Sequence, residues 1–195
     1  MIIKYIKYIE TINSHIQKFF EQQKPYIHCK EGCSICCEKG HYPLTELEYE
    51  YVKIGFNNLS LEEKQSIKDK AIKIKMEIQN SQEEKPYYEC PFLLNKRCSI
   101  YKHRGIICRT YGLLHFYETK DGTQKFNIPC CVSNGLNYSN VYDEEKQTIS
   151  AEKYKLSNIK EEPLSYNLGL NYLLNNELTK DITFGETKAL IDWLE

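Results

Sequence analysis

Nine cysteines fall in three clusters along 195 residues, and that spacing constrains this chain more than any other feature. The first cluster reads Cys29-Lys-Glu-Gly-Cys33-Ser-Ile-Cys36-Cys37. The second runs from Cys90-Pro91 through Cys98 to Cys108-Arg109, and the third is Cys130-Cys131. An odd number of thiols does not close a full set of disulfides. The opening stretch, Met1 to Glu10, has lysines inside its apolar pattern and no small-residue cleavage site, so it does not read as a secretion signal. The expected setting is cytoplasmic and reducing, where disulfide frameworks do not persist. Thiolates holding a metal fit these facts, either as an iron–sulfur cluster, with 4Fe–4S the favoured form, or as zinc.

A formal charge of −1 offers no basic footprint for phosphate, so nucleic acid is not an expected partner. No apolar run is long enough to span a bilayer, so no membrane partner is expected either. The remaining partners are a metal ion or cluster and a protein partner or substrate. The length suits a single domain, 1–195, able to bury a core of its own. Within it, 29–112 reads as a cysteine-cluster core with a helical insertion at 44–80, and 137–195 as a helical C-terminal extension.

Ile2, Ile6, Ile9, Ile12, Ile16 and Phe19 or Phe20 recur at helical spacing, which predicts an amphipathic helix ended by Pro25. Thr45 with Glu48, and Ser60 with Glu63, are capping boxes that open two further helices. Gly55 is placed to close the first of these, and Ile67, Ala71, Ile74 and Ile78 form the stripe of the second. Both helices read as scaffold. A polar loop is expected over Ser81 to Glu89. Asp121-Gly122 between partly alternating apolar residues predicts a hairpin that returns the chain to Cys130-Cys131 beside Cys108. Residues from about 137 to 162 are poorly patterned. Leu164, Leu168 and Tyr172 suggest one more helix, and Thr183-Phe-Gly-Glu186 a cap for a last one ending at Trp193-Leu194. The fold class expected is mainly α with a small β-hairpin, a helical domain wrapped around a cysteine-rich metal centre.

A metal requires deprotonated sulfurs that converge. Cys33 and Cys36 have the spacing of a knuckle, with Gly32 available for a left-handed residue. If the segment is helical instead, Cys29, Cys33 and Cys37 share one face. Adjacent side chains such as Cys36 and Cys37 are expected to diverge. Either one of each pair is a ligand and the other packs as a small hydrophobe, or the pairs serve two centres. Nine thiols fill two four-ligand sites with one left over, or one site with several structural cysteines.

Only three arginines occur, Arg97, Arg104 and Arg109, all between Cys90 and Tyr111. Their fixed charge and planar fork of donors suit neighbours of an electronegative thiolate centre. Arg104 and Arg109 are assigned that role, and Arg97 equally fits a salt bridge. His28, His41, His103 and His115 are candidate substitutes for a cysteine ligand, while His15 has no such place. Tyr101 and Tyr111 bracket Cys108 as candidate walls.

Taken together, Cys29-x3-Cys33-x2-Cys36-Cys37, then Cys90-Pro-Phe-Leu, Cys98-Ser-Ile-Tyr, an arginine and Cys108-Arg-x-Tyr111, resembles the YkgJ-type cysteine-cluster family. Its CxxCxxCC domains are described as zinc- or iron-chelating, and the block is also similar to part of the flagellin lysine N-methylases. The resembling stretch runs from residue 29 to about 112. Where the family usually has Arg-Pro, this chain has Arg104-Gly105, which loosens a turn and removes no ligand. The resemblance implies Cys29, Cys33, Cys36, Cys37, Cys90, Cys98 and Cys108 as the metal set. Cys130 and Cys131 lie beyond it and are added from their expected proximity through the hairpin.

Three functions follow. One is a metal centre with a structural, electron-transfer or redox-sensing role. Another is an enzyme of protein lysine N-methylation type, against which stands the lack of a Gly-rich strand–helix turn for a nucleotide-like cofactor. The third is a structural zinc module that presents the arginine-rich surface to a protein.

Overall fold

The structure is a computed structural model that describes residues 1–30, 32–83, 86–119 and 121–194. It is mainly helical with small sheets, in keeping with the patterning. Helix α1 (Ile2–Gln22) follows the isoleucine period, and Ile9, Ile12 and Ile16 are buried on it. Tyr5 and Tyr8 are buried as well, so tyrosines share the apolar stripe. Pro25 then opens a 3-10 turn, Lys24–Tyr26, in place of further α-helix.

A single helical turn, α2 (Ile35–Glu38), carries Cys36 and Cys37. Strand β1 (Pro43–Thr45) leads into α3 (Glu46–Asn57), and α4 (Leu61–Gln79) follows. Both capping boxes form as the sequence predicts. Ile67, Ala71 and Ile74 of α4 are buried. Gly55 does not close α3: it lies inside the last turn, and Asn58 is the C-cap. A Cβ at Gly55 would come 2.7 Å from the Cβ of His103, so close packing and not termination demands the glycine. The described residues of the loop expected at 81–89 hold no helix, and Glu84 and Lys85 lie outside the described residues.

Strands β2 (Leu93–Leu94) and β3 (Arg97–Cys98) form a tight hairpin ahead of α5 (Ile106–Thr110). The Asp-Gly hairpin exists as β4 (His115–Glu118) and β5 (Gln124–Asn127), with His115 opposite Asn127. Its connection is longer than a two-residue turn, from Thr119 to Thr123, with Lys120 outside the described residues. Strands β6 (Tyr142–Asp143) and β7 (Thr148–Ile149) make another small hairpin, followed by α6 (Ala151–Leu156). Strand β8 (Tyr166–Asn167) pairs parallel to β4 and precedes α7 (Leu170–Leu174). The chain closes with β9 (Thr187–Ala189) and α8 (Leu190–Trp193).

Two expectations fail near the end. Leu164, Leu168 and Tyr172 do not share a helix: Leu164 and Tyr172 are exposed, and only Leu168 is buried. The backbone of 166–167 finds partners in β4, and strand pairing overrides the apparent period. Thr183–Glu186 does not cap α8, whose N-cap is Ala189. Instead the carbonyls of Phe184 and Glu186 accept the N–H groups of Leu47 and Glu46, satisfying the first turn of α3.

The residues cluster into two compact units. The first comprises Met1–Ile6, Gly32–Arg109 and Ile182–Glu195. In it β1 pairs with β9, Trp193 donates to the carbonyl of Leu44, and Tyr49 stacks on Trp193. The second comprises Lys7–Glu31 and Thr110–Asp181. Its core centres on Tyr26, Leu114, Tyr138 and Val141, with Tyr26 stacked on Tyr138. Among the described residues no helix is long and apolar enough to cross a membrane.

Candidate metal centre

Six of the nine cysteines belong to the first unit: Cys33, Cys36, Cys37, Cys90, Cys98 and Cys108. Gly32 is left-handed, at φ +86°, and the helical turn starts only at Ile35 behind the N-cap Ser34. Cys33 and Cys37 therefore do not share one helix face, and the helical alternative for this cluster does not hold. Contrary to the divergence expected of neighbouring side chains, the Sγ atoms of Cys36 and Cys37 lie 4.0 Å apart and share a hydrogen bond.

Main-chain bonds join the first cluster to the second. The N–H of Cys90 donates to the carbonyl of Cys37 at 2.8 Å, and Gly40 and Tyr88 exchange both of their bonds beside it. Cys98 sits across from Leu93 in the β2–β3 hairpin. Asn95 and Lys96 turn that hairpin at φ +49° and +59°, the two positive values of a tight primed turn. Cys98 thus returns toward the start of its own block.

Cys108 lies in α5, and a buried carboxylate fixes the start of that helix. Glu48 is fully buried, and its Oε1 accepts the N–H of Ile106 at 2.8 Å. Its Oε2 accepts the N–H and the hydroxyl of Thr45, each at 3.0 Å. Gly105 precedes this helix, and a Cβ there would lie 2.3 Å from Leu44 Cδ2 and 3.2 Å from Glu48 Oε1. The glycine following Arg104 has a packing role as well. It permits a close approach that a side chain would block. Arg109, also buried, donates from Nη2 to the carbonyls of Lys102 and Arg104, both at 2.9 Å. Arg104 lies 3.7 Å over the ring of Tyr101 and donates to that residue's carbonyl. Arg97 is exposed.

These thiols feel one another. Burial pushes the Cys108 thiol up to about 12, and the negative charges of Cys98, Cys36 and Glu48 add to the rise while Arg104 opposes it. Burial raises Cys90 too, assisted by Cys108 and Cys98. Cys98 is raised by burial, with the Ile100 N–H, Arg104 and Arg109 pulling the other way. Cys36 is raised first by the hydrogen bond shared with Cys37 and then by burial, again against Arg104. A coordinated cation reverses this balance, because it takes the thiol proton's place. Among the described residues, no three His, Cys, Asp or Glu side chains are gathered tightly enough to grip an ion directly. The donor chemistry nonetheless suits soft or borderline metals: the first unit offers six thiols, one buried and five half-buried.

Cys29, Cys130 and Cys131 belong to the second unit. Asn137, fully buried, accepts the N–H groups of His28 and Cys29 on its Oδ1, both at 2.8 Å, and donates to the carbonyl of Gly112. Cys130 and Cys131 open a 3-10 turn, Cys130–Asn134, closed by left-handed Gly135. The N–H of Leu136 returns to the carbonyl of Cys131. Cys29 and Cys130 are exposed, and Cys131 is buried.

Other candidates have different occupations. The ring of His41 lies 4.0 Å from that of Tyr87, and His103 packs against Tyr51. His115 is buried between the carbonyl of Leu113 and the side chain of Asn127. His28 is exposed, Tyr101 is largely exposed beneath Arg104, and Tyr111 lies in the second unit. Two residues that spacing alone did not mark as part of a site hold cysteine segments in place: Glu48, read only as a cap, and Asn137. The family model CxxCxxCC, described as "Putative zinc- or iron-chelating domain", matches residues 28–131, more than half of the chain. That span takes in Cys130 and Cys131, which the sequence resemblance left outside. No curated protein and no solved structure matches the chain.

Proposed function

The chain belongs to the CxxCxxCC family, and from that premise we propose that it holds zinc or an iron–sulfur centre on its clustered thiolates. The observation that carries this reading is the gathering of cysteine segments in the first unit: the Cys90 N–H bonds the Cys37 carbonyl at 2.8 Å, the Cys36 and Cys37 Sγ atoms lie 4.0 Å apart, and the β2–β3 hairpin folds Cys98 back toward Cys90. Cys33 and Cys37 complete the donor set of that unit, and Cys29, Cys130 and Cys131 are proposed as donors of the second. Bound metal supplies the positive charge that keeps these sulfurs ionised; if it is iron, it also supplies redox chemistry. Arg104 and Arg109 then act on the thiolates without binding metal, offsetting their negative charge.

Burial of Cys90 and Arg109 favours a closed centre that stabilises the fold or carries electrons over one that admits a substrate. A cytoplasmic setting belongs to the same reading, since thiolates there stay reduced until metal takes them. The wrapping of the helices around the centre is likewise part of the proposal. Cys98→Ser and Cys33→Ser are each expected to lower both metal content per chain and melting temperature, because binding energy at such a site is also folding energy. A variant that keeps full metal and unchanged melting removes that residue from the ligand set.

A further inference from the structure

Two capping boxes of the same chemistry stand in different surroundings. At α4, Glu63 reaches back to the N–H and hydroxyl of Ser60 in an exposed setting. At α3, Glu48 does the same for Thr45 and is completely buried, at 0% exposure. Burial is not needed for capping, as Glu63 demonstrates, and it costs a carboxylate its water. Both capping bonds of Glu48 fall on one oxygen, Oε2. The other, Oε1, reaches 58 residues along the chain to the N–H of Ile106, two residues before Cys108. Gly105 clears the space for that oxygen; burial pushes the Glu48 carboxyl up, and the Thr45 and Ile106 N–H groups, the Thr45 hydroxyl and the charge of Arg109 oppose that rise.

We infer that Glu48 is a positioning residue for the metal centre: its Oε1 orients Cys108 through Ile106, a task separate from capping α3. The inference rests on the metal-binding reading above. No proton or electron moves in it; the carboxylate acts by accepting hydrogen bonds in a fixed direction.

The test uses cobalt(II) as a spectroscopic probe on the full chain, titrated anaerobically into metal-free protein, with zinc competition giving the affinity. Four proteins are compared: the unaltered chain, Glu48→Gln, Thr45→Ala and Glu63→Gln. Glu48→Gln keeps the volume but presents an amide donor to one of the N–H groups. It is expected to weaken metal binding about 10–100-fold and to change the thiolate-to-cobalt absorption band. Thr45→Ala weakens the same cap but leaves the Ile106 bond intact, and Glu63→Gln weakens the exposed cap. Both should melt earlier while binding metal as the unaltered chain does. Should Glu48→Gln melt too early to titrate, Glu48→Asp, which keeps the charge but shortens the reach, is read in its place and is expected to show the same loss. Unaltered affinity and band in Glu48→Gln, or equal losses in Thr45→Ala, overturn the inference. An unaltered chain that binds no cobalt or zinc instead overturns the metal-binding reading beneath it.

Discussion

In the first unit a buried carboxylate, Glu48, accepts the N–H of Ile106 close to Cys108, while in the second a buried amide, Asn137, accepts the N–H groups of His28 and Cys29. Both side chains fasten a cysteine segment to a distant part of the fold, and they differ in what each can bond. A carboxylate only accepts, so Glu48 is surrounded by donors, with Arg109 near. An amide accepts and donates, so Asn137 also holds the carbonyl of Gly112 at 2.8 Å. Gly112 is left-handed, at φ +96°, and a Cβ there would lie 2.9 Å from the Asn137 amide nitrogen. The carboxyl fastening stands in the unit with six cysteines and the amide one in the unit with three. Burial raises both the Glu48 carboxyl and the Cys98 thiol, and Arg109 works against that rise at each.

Removing each fastening should show the contrast most strongly. Glu48→Ala leaves the N–H of Ile106 and both Thr45 donors without their acceptor, and chemical denaturation of the full chain should register a loss of about 3 kcal/mol. A loss below about 1 kcal/mol would mean that the buried carboxylate is not holding these groups. Asn137→Ala should cost about 2 kcal/mol in the same measurement, and it should increase hydrogen exchange at the His28 and Cys29 amides. Asn137→Asp sharpens the comparison. It preserves the acceptor but loses the bond to Gly112 and buries a charge, so it should be no more stable than Asn137→Ala.

Smaller effects belong to the caps. Ser60→Ala should cost about 1 kcal/mol at an exposed helix start, with no effect on bound metal. The smallest effect is a pH dependence in the second unit. Burial holds His115 below the usual histidine range. The unfolded chain therefore takes up that proton first on acidification. Its contribution is fully present above about pH 6.5 and is lost as pH falls through the window below that value. His115→Gln should flatten this slope of stability against pH, and an unchanged slope would assign it to other groups.

Local chemistry was legible in the sequence. The period of α1, both capping boxes and the hairpin around Asp121-Gly122 depend on residues a few positions apart, and each forms where expected. The fastenings were not legible, because they join residues 58 to 109 positions apart and leave no local mark. Thr45-x-x-Glu48 and Ser60-x-x-Glu63 have the same pattern, and only tertiary burial separates them. Tyrosine hydroxyls make similar ties over long sequence separations. The hydroxyl of buried Tyr8 donates to Leu173, that of Tyr26 to Glu161, and that of Tyr88 to His41, so these rings tie main chain as well as fill space. The false helix through Leu164 and Tyr172 has the opposite cause: three well-spaced residues imitate a period where strand pairing decides.

The most direct test of the metal-binding claim is anaerobic purification followed by metal analysis and an absorption spectrum on the same sample. Zinc or iron bound in stoichiometric amount is expected, with iron giving a broad visible absorption that bleaches on reduction. A folded chain that stays metal-free whether zinc or iron and sulfide are supplied, with the thiols of Cys36, Cys90, Cys98 and Cys108 still reactive, would contradict it.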